Sequence, residues 1–204
     1  MALRAVVFDV GETLVDEERW WRELCARAGL QPQVVWAALG VTIERGEEHD
    51  ALWGHLGLGR PPGWWREIVY SLDDLYPDAW DCLERVRGLA YRVGVVGNQT
   101  AALETWARES GLPADVVSSS ASLGVRKPDP AFFASVCELV GHAPHEVAYV
   151  GDRVDNDVLP AAAAGLIAVH VRRGPWGRLQ ATPPEAALGL DDLASLPQAL
   201  ASLD

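Results

Sequence analysis

Lysine is nearly missing from this chain of 204 residues: of its 17 basic side chains, Lys127 is the single lysine and the others are arginine. A genome-wide preference for arginine accounts for the bias, but not for the one lysine that remains. Cysteine is scarce as well. Cys25, Cys82 and Cys137 are odd in number and far apart, which excludes a disulfide framework and predicts a reducing compartment. With no Cys-x-x-Cys pair and no His/Cys cluster, zinc is not expected. No apolar run approaches a membrane-spanning helix, and the first residues lack the basic-then-apolar pattern of a leader. Both absences predict a soluble cytoplasmic protein with no membrane partner. Basic surplus is lacking too: the net charge of −12 leaves no positive stripe for nucleic acid.

What is present suits a packed globular protein. Hydrophobic residues make up 49% and charged residues 23%, and the length fits one core domain carrying an insertion. Short apolar runs at Leu3–Phe8, Val93–Val96, Val116–Ser118, Val147–Val150 and Leu166–Val171 read as strands covered on both faces. Helical patterns near Ala79–Leu89, Ala101–Ser110, Pro130–Val140 and Asp155–Ala164 lie between them, so the fold class is α/β with a parallel sheet. Pro130 is placed in the first turn of its helix, where a missing N–H is harmless. After Gly174 the tail predicts a last turn and a short helix.

From Glu17 to about Ser71 the alternation stops. Apolar residues recur at helical spacing, as in Trp20, Trp21, Leu24 and Ala28, and a Pro61-Pro62-Gly63 turn punctuates the segment. Six of the nine tryptophans fall here: Trp20, Trp21, Trp36, Trp53, Trp64 and Trp65. Large rings filling a small helical bundle explain most of them, and one or two lining a pocket is the functional alternative.

Open α/β sheets place their sites at the carboxyl ends of strands. The first strand ends in Asp9, followed by Val10-Gly11-Glu12-Thr13, and the fourth ends in Gly151-Asp152, with Asp155 and Asp157 in the next turn. One such aspartate is usually a cap or turn former. Two together, with a third acid close behind, suit a hard cation such as Mg²⁺, which takes few carboxylates and bridges to phosphate oxygens. Lys127, set between Arg126 and Pro128 before a helix, can present a compact charge to a phosphate. Gly97-Asn98-Gln99-Thr100 offers amides and a hydroxyl at the same edge.

These residues in this order resemble the haloacid dehalogenase superfamily over nearly the whole chain. Asp9 begins a stretch similar to the nucleophile motif, Val96-Gly97-Asn98 resembles the second motif, Lys127-Pro128 the third, and Gly151-Asp152 to Asp157 the acidic fourth. The resemblance implies a Rossmann-like core (residues 1–16 and 76–204) with strand order 5-4-1-2-3. It also implies a helical cap (17–75) inserted after the first strand. It implies a phosphatase-type hydrolase of small phosphorylated substrates, with Asp9 forming an aspartyl-phosphate. Mg²⁺ would be held by Asp9, the Gly11 carbonyl and Asp152. Asp157 would act through water or orient Lys127, Lys127 would supply neutralising charge, and Asn98 would orient the ligand.

Two positions depart from the pattern. The family's second aspartate, the proton donor two residues after the nucleophile, is Gly11 here, and the glycine usually following it is Glu12. The phosphate-binding hydroxyl of the second motif is Gly97. General acid–base help is worth ~10²–10⁴ in rate, and a lost phosphate donor ~10²–10³ if it resembles an oxyanion-hole donor. Three answers follow: Glu12 substitutes as the acid, the substrate has a good leaving group, or the site binds a ligand or partner without turnover. A dehalogenase, which also lacks the second aspartate, is a lesser alternative. His49 and His55 of the insertion and His142 and His145 before the fourth strand are secondary candidates with a surface role as the simpler reading, while Arg172, Arg173 and Trp176 after the fifth suit substrate contact or packing of the tail equally.

Overall fold

The computed structural model describes residues 2–61 and 69–203. A six-stranded parallel sheet forms its centre, in the order β3-β2-β1-β4-β5-β6. The strands are β1 (Ala5–Phe8), β2 (Arg92–Gly97), β3 (Val116–Ser119), β4 (Val147–Gly151), β5 (Ile167–Val171) and β6 (Leu188–Leu190). The five expected strands keep the expected order, read from the opposite edge. The sixth corrects the reading of the tail. Beyond the short helix α9 (Gly174–Leu179), residues Leu188–Leu190 add to the free edge of β5 before α10 (Leu196–Leu200).

Neighbouring residues of β1 face opposite layers. Val6 and Phe8 enter a core shared with α4 (Ala79–Gly88), α5 (Ala102–Ser110) and α10, while Ala5 and Val7 pack against α7 (Pro130–Val140), which follows the one-turn α6 (Ser120–Leu123), and against α8 (Leu159–Ala163). All four are fully buried, as a strand covered on both faces requires. Pro130 does open α7, and Asp129 caps it by accepting the Ala131 N–H at 2.9 Å. The helix expected over Asp155–Ala164 begins differently. Val154–Val158 forms a π turn closed by Val158 N–H to the Arg153 carbonyl, and α8 follows. The wider turn carries Asp157 inward, to 0% exposure, and such turns recur at functional sites.

Between β1 and α4 lie α1 (Glu18–Ala28), α2 (Pro32–Glu44) and α3 (Ala51–His55), with no strand among the described residues. The chain leaves and rejoins the sheet layer at one place, where Val15 bridges Leu75 and Arg19 holds Asp74 at 2.6 Å. Trp21 and Trp53 are buried with Leu24, Val35 and Leu39 in a separate apolar cluster that also takes in Trp176 of α9. Trp36 packs on its flank, whereas Trp20 belongs to the main core. The Pro61-Pro62-Gly63 turn runs beyond the described residues, and Trp64 and Trp65 lie outside them.

Candidate active site

The strand order reverses at β1. The chain runs from β1 outward through β2 and β3, then returns to the other side of β1 as β4. The crevice at such a reversal is where an open sheet receives ligands. Asp9 stands at the carboxyl end of β1, its N–H donating to the Val150 carbonyl of β4 at 2.8 Å, and Asp152 follows β4 directly.

Lys127 lies between two of the acids. Its Nζ donates to Asp9 Oδ1 at 2.6 Å and to Asp157 Oδ1 at 2.5 Å, and the residue is 2% exposed. Beneath it, the Tyr149 ring centroid is 5.5 Å and the Phe132 centroid 6.0 Å from the ammonium. Burial opposes the charge, yet Asp157 and Asp9 together hold the lysine pKa well above its usual value. Asp157 is fixed in turn by accepting the Arg153 N–H at 2.9 Å on its other oxygen.

Burial pushes Asp9 up to about 6 despite the attraction of Lys127. Asp152 is raised well above the carboxylate range by burial and then by the charges of Asp157 and Asp9. Ligand oxygens of Asp9, Asp152 and Asp157 all fall within 4.8 Å of one another. Three buried carboxylates therefore face one ammonium. Among the described residues, none makes a hydrogen bond or ion pair to the Asp152 side chain. Converging hard oxygen donors with uncompensated negative charge fit a divalent cation of the Mg²⁺ kind.

Asn98 lines the cavity and is also tied to Lys127. Its Oδ1 accepts the Lys127 N–H at 2.9 Å and its Nδ2 donates to the Lys127 carbonyl at 3.1 Å. The amide thus grips the backbone of the lysine. Gly97 beside it is a close approach: a Cβ there would run into Asp9 Oδ1. The hydroxyl-bearing residue usual at that position has no room while Asp9 keeps this rotamer.

The loop after Asp9 is tight. Leu14 and Val15 both donate to the Val10 carbonyl at 2.9 Å, and Glu12 N–H donates to the Val15 carbonyl at 2.7 Å. Glu12 adopts a left-handed backbone, φ 53°, in the position where the resemblance expects glycine; this costs roughly 1–2 kcal/mol. Its carboxylate accepts the Tyr76 hydroxyl at 2.5 Å and is pushed up to about 7, chiefly by burial. Sequence reasoning missed Glu17. The loop folds this residue back over Gly11, so that a Cβ on Gly11 would strike Glu17 Oε1. Its other carboxylate oxygen accepts the Trp21 indole N–H at 3.3 Å. Burial of the carboxyl, with Glu12 and Asp9 nearby, raises it to about 8. An acid just beyond the motif was the available signal, and spacing alone could not return it to residue 11.

A cavity of about 420 Å³ joins these groups, with Asp9, Lys127 and Asp152 on the sheet side and Trp21, His49 and Trp176 opposite. The other candidates are engaged elsewhere. His55 meets Glu47 at 2.6 Å, His142 is 4.0 Å from Glu146, and Arg172 pairs with Asp191 at 2.9 Å. Arg173 is buried against Asp78 at 2.7 Å and stacks on Tyr76.

A Rossmann-like parallel sheet with a buried acid-and-lysine cluster at its switch point defines an α/β enzyme whose chemistry sits on strand ends. The chain belongs to the haloacid dehalogenase-like hydrolases, whose sequence profile matches residues 3–165. It is 29% identical over 202 residues to the glyceraldehyde 3-phosphate phosphatase of Methanopyrus kandleri, a match covering 85% of this chain and 86% of that one. Among solved structures, the magnesium-bound HAD hydrolase YfnB of Bacillus subtilis superposes with a TM-score of 0.72 at 19% identity, covering 98% of this chain and 99% of that one. The L-2-haloacid dehalogenase of Xanthobacter autotrophicus shares the fold as well, with a TM-score of 0.70 at 21% identity and 99% and 100% coverage.

Proposed function

We propose that this hydrolase is a Mg²⁺-dependent phosphatase of small organic phosphates, acting through an aspartyl-phosphate on Asp9. The observation that carries the reading is Lys127 held between Asp9 and Asp157, beside an Asp152 carboxylate that no other described residue pairs with. Asp9, Asp152 and the Gly11 carbonyl would hold the metal, with Asp157 behind them. When bound, the metal supplies positive charge that lets an anionic nucleophile and an anionic phosphoryl group approach. Lys127 adds a fixed charge to the same end, and Asn98 keeps that lysine in register. Asp9 attacks phosphorus, dividing one difficult displacement into two easier ones. Residues 17–75 serve as the cap, closing the cavity through Trp21 and His49. The phosphatase relative supports a small phosphate ester or mixed anhydride as substrate, and a cavity of about 420 Å³ suits that size.

The absence of an acid at residue 11 supports a second reading, that of a dehalogenase. The acid cluster favours the first. A panel of phosphorylated metabolites and 2-chloropropionate, assayed with and without Mg²⁺, separates them. Phosphate release that needs Mg²⁺ and disappears in Asp9→Asn is the expected result. Chloride release without metal selects the dehalogenase. Neither activity, with Mg²⁺ still bound, leaves a binding protein.

A further inference from the structure

We propose that Glu17, from the first turn beyond the nucleophile loop, is the proton donor and acceptor of this site, in the space left open by Gly11. The inference deepens the phosphatase reading and rests on it. Two carboxylates are close enough to be considered. Glu12 is committed by its short hydrogen bond from the Tyr76 hydroxyl, with its side chain against Gly174. Both line the cavity that holds Asp9, but it is Glu17 whose carboxyl reaches over Gly11. A side chain at residue 11 and the carboxyl of Glu17 in this rotamer would occupy the same space. The absence of a side chain at residue 11 is therefore what admits Glu17.

Three features fix the carboxyl there. The loop turns back through the Gly11–Val15 bridge. Glu17 then stands at the start of α1, where its side chain makes no capping bond. Trp21, one turn on, holds the distal oxygen through its indole N–H, which leaves Oε1 over Gly11 toward the cavity.

In the first step an Asp9 carboxylate oxygen forms a bond to phosphorus as the bond from phosphorus to the ester oxygen breaks. The leaving oxygen keeps the electron pair and takes the Glu17 proton, departing as an alcohol. In the second step water attacks phosphorus and gives a proton to the Glu17 carboxylate. The bond between phosphorus and Asp9 breaks toward Asp9, and inorganic phosphate is released with both acids restored.

The test uses the whole chain with Mg²⁺, comparing kcat/KM for p-nitrophenyl phosphate and for glycerol 3-phosphate in the wild type and in Glu17→Gln. Because kcat/KM reports the first step, loss of a proton donor should spare the ester whose leaving group needs none. The aryl-to-alkyl ratio is expected to rise by roughly 10² or more in Glu17→Gln. A double variant, Gly11→Asp with Glu17→Ala, should bring the ratio back toward the wild-type value, since the new carboxyl occupies the vacated space. An unchanged ratio in a folded Glu17→Gln protein overturns the assignment while leaving the phosphatase reading intact. So does a steepening seen in Glu12→Gln and not in Glu17→Gln. A wild type that hydrolyses neither ester overturns both.

Discussion

Asn98 and Lys127 exchange a reciprocal pair of hydrogen bonds, side-chain amide to main chain, at 2.9 and 3.1 Å. The pair ties the loop after β2 to the loop before α7, and so fixes where the ammonium can reach. Asn98→Ala removes both bonds and leaves a Lys127 N–H and carbonyl in need of partners. The expected loss is roughly 1–3 kcal/mol of stability, together with a fall in kcat that exceeds any change in KM. A variant as stable and active as the wild type would show that the lysine is positioned by Asp9 and Asp157 alone.

Asp152 tests the metal. A ligand that binds only the folded state raises the melting temperature as its concentration passes the dissociation constant. Millimolar Mg²⁺ should raise the melting temperature of the wild type, and Asp152→Asn should lose most of that shift. The metal-free variant should itself melt higher than the metal-free wild type, because a buried carboxylate already disfavoured by burial and by its neighbours becomes a neutral amide. Equal Mg²⁺ shifts in the two proteins would remove Asp152 from the ligand set.

Glu12 gives a dependence on pH. Its pKa rises from 4.5 in the unfolded chain to about 7 in the folded one, so the folded state binds more protons between those values. The contribution of this side chain to stability therefore falls as pH rises through that window. Melting temperatures of metal-free wild type and Glu12→Gln, compared at intervals from about pH 5 to 8, should diverge, the wild type losing ground as pH rises. Parallel curves would mean that Glu12 ionises in the folded protein as freely as in the unfolded one.

The Arg173–Asp78 pair joins the turn after β5 to the start of α4. Burial acts to raise the Asp78 pKa, but two hydrogen bonds from Arg173 outweigh it and hold the acid below its usual value. Asp78→Ala leaves a guanidinium that is 7% exposed bonded to the Thr13 carbonyl but without its counter-ion, at an expected cost of about 2–3 kcal/mol. The wild-type advantage should fade on acidification below the unfolded value of 3.8, as Asp78 takes up its proton. Urea denaturation of both proteins at neutral and acid pH measures it.

Much of this was legible in the sequence because it depends on local pattern. The strands β1, β2, β4 and β5 are nearly continuous apolar runs, broken only by Arg92 and His170, and Asp9, Lys127, Asp152 and Asp157 each lie beside a strand end or a proline-fixed helix start. The sheet then brings together what the pattern had only placed at one edge. What escaped was non-local. β6 has three residues, one of them glycine, and gains its pairing only from the exposed edge of β5. The π turn at Asp157 differs from an α-helix by one register step that no periodicity reveals. The return of Glu17 to Gly11 depends on a loop closing on itself, and the engagement of Arg173 depends on a partner 95 residues away.

The buried position of Lys127 has a practical side. The chain offers one ε-amine, and that amine is shut inside the acid cluster at 2% exposure. Reagents that acylate amines, common in surface coupling and cross-linking, will find almost nothing to react with on the folded exterior apart from an α-amino group. Slow acylation at Lys127 would then clock the opening of the crevice itself, without any reporter having to be added.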